Sequence, residues 1–383
     1  MYSGKTIAVI GASYLQLPLV RKAKAMGLRV ICFAWADGAV CAKECDKFYP
    51  ISIVDKEKIL DVCRAERING VTSIASDVAV PTMAYVAEQL GLAGNSVASA
   101  SCSTDKYLMR RAFQENGVPC PVFAELESAD KISSLPLSLT YPLIVKPVDR
   151  SGSMGVLEID TPELLPLAVQ KAIDCSLGRK AIVEECITDM HEISVEGLSW
   201  KGEYRIMAIT DKMTTGKPHY VELAHHQPAQ LPDEIRTRVE EVVRKGIKAL
   251  GITCGASHAE LMITSDGRLY VTEIGARMGG DFIGSNLVEL STGHDFLKAV
   301  IECAIGTFSD LETKDHADCA GVWFYAPQTT WVKDVIRAEC RDARIVESEL
   351  QDEETKELCR SADRSGYFIY SSSERWNGPV KRN

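Results

Sequence analysis

Residues 5–11 (KTIAVIG) form an apolar run too short for a helix and closed by a glycine, which predicts a buried strand. A helical pattern follows to about Gly27, then a second strand in LRVICFA. The alternation continues with EKILDVCRAERIN as helix, GVTSIAS as strand and PTMAYVAEQLG as helix. Strands alternating with helices predict a parallel sheet covered on both faces, here a first domain reaching about residue 97. Its first turn, GASYLQ, lacks the second and third glycines of a dinucleotide fingerprint. The domain therefore reads as a Rossmann-like scaffold or substrate domain rather than an NAD site.

Farther along, STDKYLMRRAFQENGVP predicts a helix capped by Ser103 or Thr104, with Asp105 at its positive end and Gly117 and Pro119 as stops. In LIVKPVDRSGSMGV (residues 143–156) an apolar strand ends at Lys146 and a glycine- and serine-rich loop follows. A P-loop has the reverse order, glycines first and lysine last. A second apolar stretch reaches Ile159, so the pattern predicts two strands joined by a mobile loop with Lys146 at its base. Short strands and helices are expected to about residue 200, and an amphipathic helix over residues 232–250. The last seventy or so residues read as a small mixed tail with strands near AGVWFYAP and SGYFIYSS.

Composition narrows the class. The 383 residues suffice for two or three domains, and 46% hydrophobic with 25% charged residues is ordinary for a globular protein. A net charge of -10 argues against nonspecific nucleic-acid binding, which leans on lysine and arginine. No apolar run reaches the roughly 18 residues of a membrane helix. The opening MYSGKTIAVIGAS reads as a first strand rather than a signal peptide. Thirteen cysteines, odd in number and scattered without zinc-site spacing, read as reduced thiols in a cytoplasmic protein.

The sharpest local signal is the hairpin GASHAELMITSDGRLYVTEIGARMGG. With Ser265 and Asp266 in the turn, the register pairs Glu260 with Val271 and sets Glu260 and Glu273 diagonally on one face; a bulge at Gly267 alters that register. Two carboxylates brought together repel unless compensated, and a divalent cation shared with phosphate oxygens is the economical answer. Solvated strand-end acids are the bland alternative. Arg277, four residues on, offers a bidentate fork for a phosphoryl group, and Gly279 and Gly280 allow close backbone approach. Ser76 and Asp77 follow a parallel strand, where ligands of such sheets bind, and are candidate substrate contacts.

Four segments occur in order: STDKYLMR, LIVKPVDRSGSMGV, AIVEECITDMHEISVEG and HAELMITSDGRLYVTEIGARMGG. This succession resembles the ATP-grasp superfamily of carboxylate–amine ligases, from the first strand to about residue 306. The resemblance implies an α/β and α+β protein: a Rossmann-like domain (1–97), two α+β subdomains clasping ATP (98–185 and 186–306) and a small C-terminal α+β segment (307–383). It implies ATP and magnesium, or manganese in its place, as cofactors. Lys106 and Lys146 would face phosphate oxygens, under a loop formed by Ser151, Gly152, Ser153, Met154 and Gly155. Glu184 and the backbones of Glu185 and Ile187 would take the adenine edge, and Glu192 the ribose. Glu260 and Glu273 would hold the metal. Arg277, with Lys146 and Gly280, would act on the transferring group, with Gly279 or Gly280 as oxyanion donors. Many members carry asparagine two residues after the second glutamate; here Gly275 stands there, one oxygen ligand fewer.

DKMTTGKPHYVELAHHQPAQLP and GARMGGDFIGSNLVELSTGHDFLKAVIECAIG resemble segments of amino-acid ligases that make dipeptides. That implies small carboxylate and amine substrates, with Glu222 and His226 lining their cleft. The adjacency of His225 and His226 places one facing in and one out, and His258, on the predicted face of Glu260, reads as a lesser substrate candidate or, more plainly, as a partner for a metal-site carboxylate. Dimers are common among such enzymes. Two other readings stand beside it: an ATP-grasp enzyme of purine biosynthesis or carbamoyl-phosphate-synthase-like chemistry, and a noncatalytic nucleotide-binding sensor.

Overall fold

The computed structural model describes residues 2–152, 154–217, 219–338 and 342–378. Its first sheet contains β1 (Thr6–Ile10), β2 (Arg29–Phe33), β3 (Lys47–Tyr49) and β4 (Gly70–Thr72) in the order β3-β2-β1-β4. Every pairing is parallel, as the alternating pattern predicts. β1 is buried throughout because apolar side chains cover both of its faces. Ile7 and Val9 pack with Leu19 and Val20 of helix Leu17–Ala25, and with Phe296, Val300 and Ile301 of the distant helix Phe296–Ala304. Ala8 and Ile10 pack on the other side with Ile59 and Val86.

A second, antiparallel sheet contains β5 (Phe123–Leu126), β6 (Leu143–Pro147), β7 (Leu157–Ile159) and β8 (Ala181–Glu185) in the order β5-β8-β6-β7. Leu143 pairs with Ile159, so the lysine-ending strand and the stretch after the loop are neighbours. Helix Leu165–Cys175 covers this sheet through Leu165, Ala168, Val169 and Ala172.

The third sheet has eight strands: β9 (Met190–Trp200), β10 (Glu203–Thr214), β11 (Glu222–Gln227), β12 (Cys254–Thr264), β13 (Leu269–Gly275), β14 (Cys319–Tyr325), β15 (Ile345–Leu350) and β16 (Gly366–Ser372). Their order is β13-β12-β9-β10-β11-β14-β16-β15, so β14–β16 extend the sheet that carries the hairpin. β9 runs 11 residues, longer than the short elements expected before residue 200, and the 12-residue β10 lies where the sequence pattern predicts no element. In β9 the polar Glu192, Ser194 and Glu196 alternate with the buried Ile193 and Val195, as in a strand with one polar face, whereas Asp211 and Lys212 stand side by side in β10 and break the alternation there.

One helix start differs from expectation. Helix Val97–Thr104 precedes helix Lys106–Glu115, and Asp105 between them is extended (φ -100°, ψ 115°). Asp105 is the N-cap and accepts from Leu108 N–H at 2.9 Å. Ser103 and Thr104 instead donate to the Ala100 carbonyl behind them. Lys106 thereby becomes the first residue of its helix. Among the described residues no helix is long and apolar enough to cross a membrane.

Candidate active site

The hairpin register corrects the expected one and brings the two acids closer. Gly267 (φ +80°) joins Ser265 and Asp266 in the turn, closed by Gly267 N–H donating to the Thr264 carbonyl at 2.8 Å. Ile263 then pairs with Leu269 and Leu261, not Glu260, with Val271. The register shifts again between Glu260 and Leu261, leaving Thr272 without a partner, and Glu260 pairs directly with Glu273. Each one-residue insertion alone would flip every later side chain to the other face, and two together restore it. Leu261 and Val271 are fully buried on the core side while Glu260 and Glu273 share the opposite face. Thr272 anchors the bulge by donating to the Glu260 carbonyl at 3.1 Å, and its own carbonyl accepts from Arg110 at 2.6 Å.

Neighbouring strands surround Glu260 with charge. Lys212 of β10 donates to it at 2.7 Å and pairs with Glu192, with Glu222 at 3.9 Å. Burial works against the Lys212 ammonium, yet Glu192, Glu260 and Glu222 hold it well above the usual lysine range. Burial likewise opposes the Glu260 carboxylate, and Lys212 and His258 hold it well below the usual range. His258 bonds Glu196 through Nδ1 and lies 3.4 Å from Glu260 through Nε2. Burial opposes its charge, but Glu196 and Glu260 raise it to about 9. His258 therefore stands behind Glu260 as the sequence suggests, whereas Glu192 is engaged by Lys212 at the position expected to take a ribose.

Lys106 reaches Glu273 at 3.3 Å and donates to the Arg150 carbonyl at 2.7 Å. With Asp77, Asp105 and Ser151 these residues line a cleft of about 310 Å³. Lys146, from β6, pairs with Glu184 at 2.7 Å, and Arg110 pairs with the other Glu184 oxygen at 2.8 Å. Burial pushes Lys146 below the usual lysine range while Glu184 opposes the shift. Glu184, expected at the adenine edge, thus has its carboxylate filled by two cations. Glu185 exchanges bonds with Val122, its N–H to the Val122 carbonyl and its carboxylate accepting the Val122 N–H. Ile187 follows the strand and is half-buried. Ser151, Gly152 and Met154 are exposed and Gly155 is half-buried; Ser153 lies outside the described residues. Gly152 and Gly155 have φ of +64° and +74°, the left-handed backbone that favours glycine.

Arg277 meets Asp77 in a two-pronged pair, Nε to Oδ1 and Nη2 to Oδ2, both 2.8 Å. Asp77, expected as a substrate contact, is thus held by an arginine from the far end of the hairpin. Ser76 lines a neighbouring cleft at the carboxyl ends of the parallel strands, with Ser13 and Trp35. Gly279 is no free oxyanion donor: its N–H bonds Glu196 at 3.0 Å. A Cβ there would sit 2.7 Å from both Glu196 and His258, so the close packing requires glycine. Gly280 lines a small cleft with Tyr14, Ala75 and Asp281.

The two adjacent histidines part as alternation requires, but each faces the way expected of the other. His226 packs edge-on against Trp323 and bonds Tyr370 at 2.8 Å, on the face away from Glu260. His225 pairs in register with Lys212 and faces the site, 3.7 Å from Asp281, with neither ring nitrogen hydrogen-bonded among the described residues. Glu222 also faces it and accepts from Ser361 at 2.9 Å. Asp281 in turn takes a two-pronged bond from Arg364 at 2.8 Å, and Arg364 lies 3.6 Å from the centre of the Phe324 ring. Lys212, Arg110 and Arg364 are not singled out by the sequence. Their signal is weak there, because each acquires a partner only from a different strand or segment.

Among the described residues no group of three or more histidine, cysteine, aspartate or glutamate side chains is arranged to hold a metal ion alone. The paired Glu260 and Glu273, with side chains 28% and 22% exposed, fit a hard cation that takes its remaining oxygens from phosphate and water.

Residues 139–285 match the ATP-grasp domain family. The chain is 28% identical over 247 residues to the alanine–anticapsin ligase of Bacillus subtilis, covering 58% of this chain and 51% of that protein. It is 25% identical over 234 residues to the carbamoyl phosphate synthase large chain of Thermotoga petrophila, covering 60% and 21%. The chain thus matches about half or less of the length of these curated relatives. Among solved structures, the L-amino acid ligase from Bacillus licheniformis superposes with a TM-score of 0.79 at 24% identity, over 98% of this chain and 95% of that one. At that identity the likeness is one of fold.

Proposed function

We propose that this chain, which belongs to the ATP-grasp superfamily, is an ATP-dependent ligase joining one small carboxylate to one small amine, amino acids foremost. The observation that carries the reading is Glu260 directly opposite Glu273, with Lys106 on Glu273 and Lys212 on Glu260. A carboxylate is anionic and resists attack by an amine. Transfer of the ATP γ-phosphoryl group to a carboxylate oxygen gives an acylphosphate and ADP. The amine then attacks the acyl carbon, the C–O bond to phosphate breaks, and amide, phosphate and a proton are released.

Magnesium held by Glu260 and Glu273 supplies charge screening between the ATP phosphates. Lys106, from a helix start, and Lys146, fixed by Glu184, orient and neutralise the phosphate oxygens. Arg277 stabilises the charge that develops on the transferring group. The glycine-rich loop over residues 151–155 excludes water from the acylphosphate. Glu222 and His225, on the site face beyond Lys212, bind the substrate end. The sites follow the division 1–97, 98–185, 186–306 and 307–383, and we place the reaction in the cytoplasm, where ATP is supplied.

Incubation with ATP, Mg²⁺ and twenty amino acids, read by mass spectrometry and ADP release, tests this. The expected products have the summed mass of two amino acids less one water, with one ADP each. ADP release driven by bicarbonate or aminoimidazole ribonucleotide, and by no amino-acid pair, would assign the chain to the other ATP-grasp chemistries. ATP binding without turnover on any of these would make it a sensor.

A further inference from the structure

We propose that Asp77 is the positioning residue that aims Arg277, and that residue 275 is glycine because the Asp77 carboxylate occupies the space of its side chain. This rests on the role of Arg277 given above. A Cβ built on Gly275 would lie 2.8 Å from Asp77 Oδ1 and 3.4 Å from Arg277 Nε. Gly275 has an extended backbone within β13, so its conformation does not demand glycine; the space does.

Asp77 comes from the first sheet's domain and Arg277 from the hairpin, 200 residues apart. A backbone bridge ties their segments together: Ile74 pairs with Met278 in parallel, with Ala75 N–H donating to the Met278 carbonyl at 3.0 Å. Gln16 holds the same junction by donating to the Ile74 carbonyl at 2.7 Å. Only 12% of either side chain is exposed.

The donor count shows what the pair leaves free. A guanidinium has five N–H groups. Asp77 takes one on Nε and one on Nη2, and the Met278 carbonyl takes one on Nη1 at 3.3 Å. Among the described residues one N–H is left on each terminal nitrogen, an edge that can grip a phosphoryl or carboxylate group. Asp77 thus fixes the plane and direction of that edge.

The test is a double-mutant cycle in the full chain with Asp77→Ala, Gly275→Ala and both, alongside Asp77→Asn and Arg277→Ala. Asp77→Ala should lower kcat about 100-fold, as a 1 Å misplacement does, with KM for ATP little changed. Asp77→Asn, which keeps one acceptor oxygen, should fall between it and wild type. Gly275→Ala should cost activity in the wild-type background and nothing further once Asp77 is alanine. Urea unfolding of the same proteins should show the same non-additivity, which reads the contact independently of turnover. Additive effects of Asp77→Ala and Gly275→Ala in both measurements, or unchanged kcat in Asp77→Ala beside an inactive Arg277→Ala, overturn the proposal alone. Full turnover by Arg277→Ala instead overturns the role assigned to Arg277.

Discussion

Glu260 stands directly opposite Glu273 across the β12–β13 ladder, set there by the three-residue turn with Gly267 together with the unpaired Thr272. Like charges in direct cross-strand register destabilise a sheet by a fraction of a kcal/mol, while Lys106 and Lys212 offset the repulsion. Glu273→Gln should therefore leave the unfolding free energy within about 1 kcal/mol of wild type. ADP release should fall about 100-fold or more. EDTA should remove turnover from the wild type and Mg²⁺ should restore it. Full ADP release by Glu273→Gln, or in EDTA, sinks the metal assignment.

Arg110 is fully buried and ties three elements together: it pairs with Glu184 on β8, donates to the Thr272 carbonyl on β13, and issues from helix Lys106–Glu115. Removing one partner leaves a buried charge uncompensated. Arg110→Ala should cost roughly 3–5 kcal/mol in urea unfolding. A loss below about 1 kcal/mol would show that Lys146 alone satisfies Glu184.

His226 is pushed down to about 3, chiefly by burial and then by the nearby Arg375. In the unfolded chain it returns to about 6.5. Between those values the unfolded form binds one proton more, so stability falls as pH falls from 6.5 toward 3. One proton corresponds to about 1.4 kcal/mol per pH unit. His226→Gln should flatten the stability-versus-pH curve by that amount in this window, and should leave substrate KM unchanged in a variant that folds. His225→Gln should instead raise substrate KM. The reverse pattern would return His226 to the substrate cleft.

Two loop glycines separate backbone conformation from space. Gly152 and Gly155 both have positive φ, but a Cβ at Gly152 meets nothing within 4 Å among the described residues. At Gly155 it would lie 3.0 Å from Pro147 and 3.1 Å from Cys175. Gly155→Ala should therefore reduce turnover more than Gly152→Ala, measured as ADP release under saturating ATP. Equal losses would mean that the left-handed backbone alone sets the cost, on the order of 1 kcal/mol at each position.

Much of the scaffold was legible along the chain because its periodicities are local. The parallel strands β1, β2 and β4 with their helices, the β6–β7 pair around the glycine-rich loop, and the hairpin all show in residues 4 to 30 apart. The lengths of β9 and β10 were not legible, since Asp211 and Lys212 stand side by side in β10 and break its alternation. The N-cap went to Asp105 rather than Ser103 or Thr104, because a preceding helix claims those two.

By itself the chain singled out the candidates for the phosphate and metal chemistry proposed above: Lys106, Lys146, Glu260, Glu273 and Arg277, each in a local motif. Only the tertiary structure decided what those residues face. Lys212 meets Glu260, Arg110 meets Glu184, Asp77 meets Arg277, and His225 rather than His226 turns toward the site. The physical reason is that a side chain's direction follows from its own strand or helix, whereas its partner arrives from a strand whose register depends on bulges and on segments up to 200 residues away.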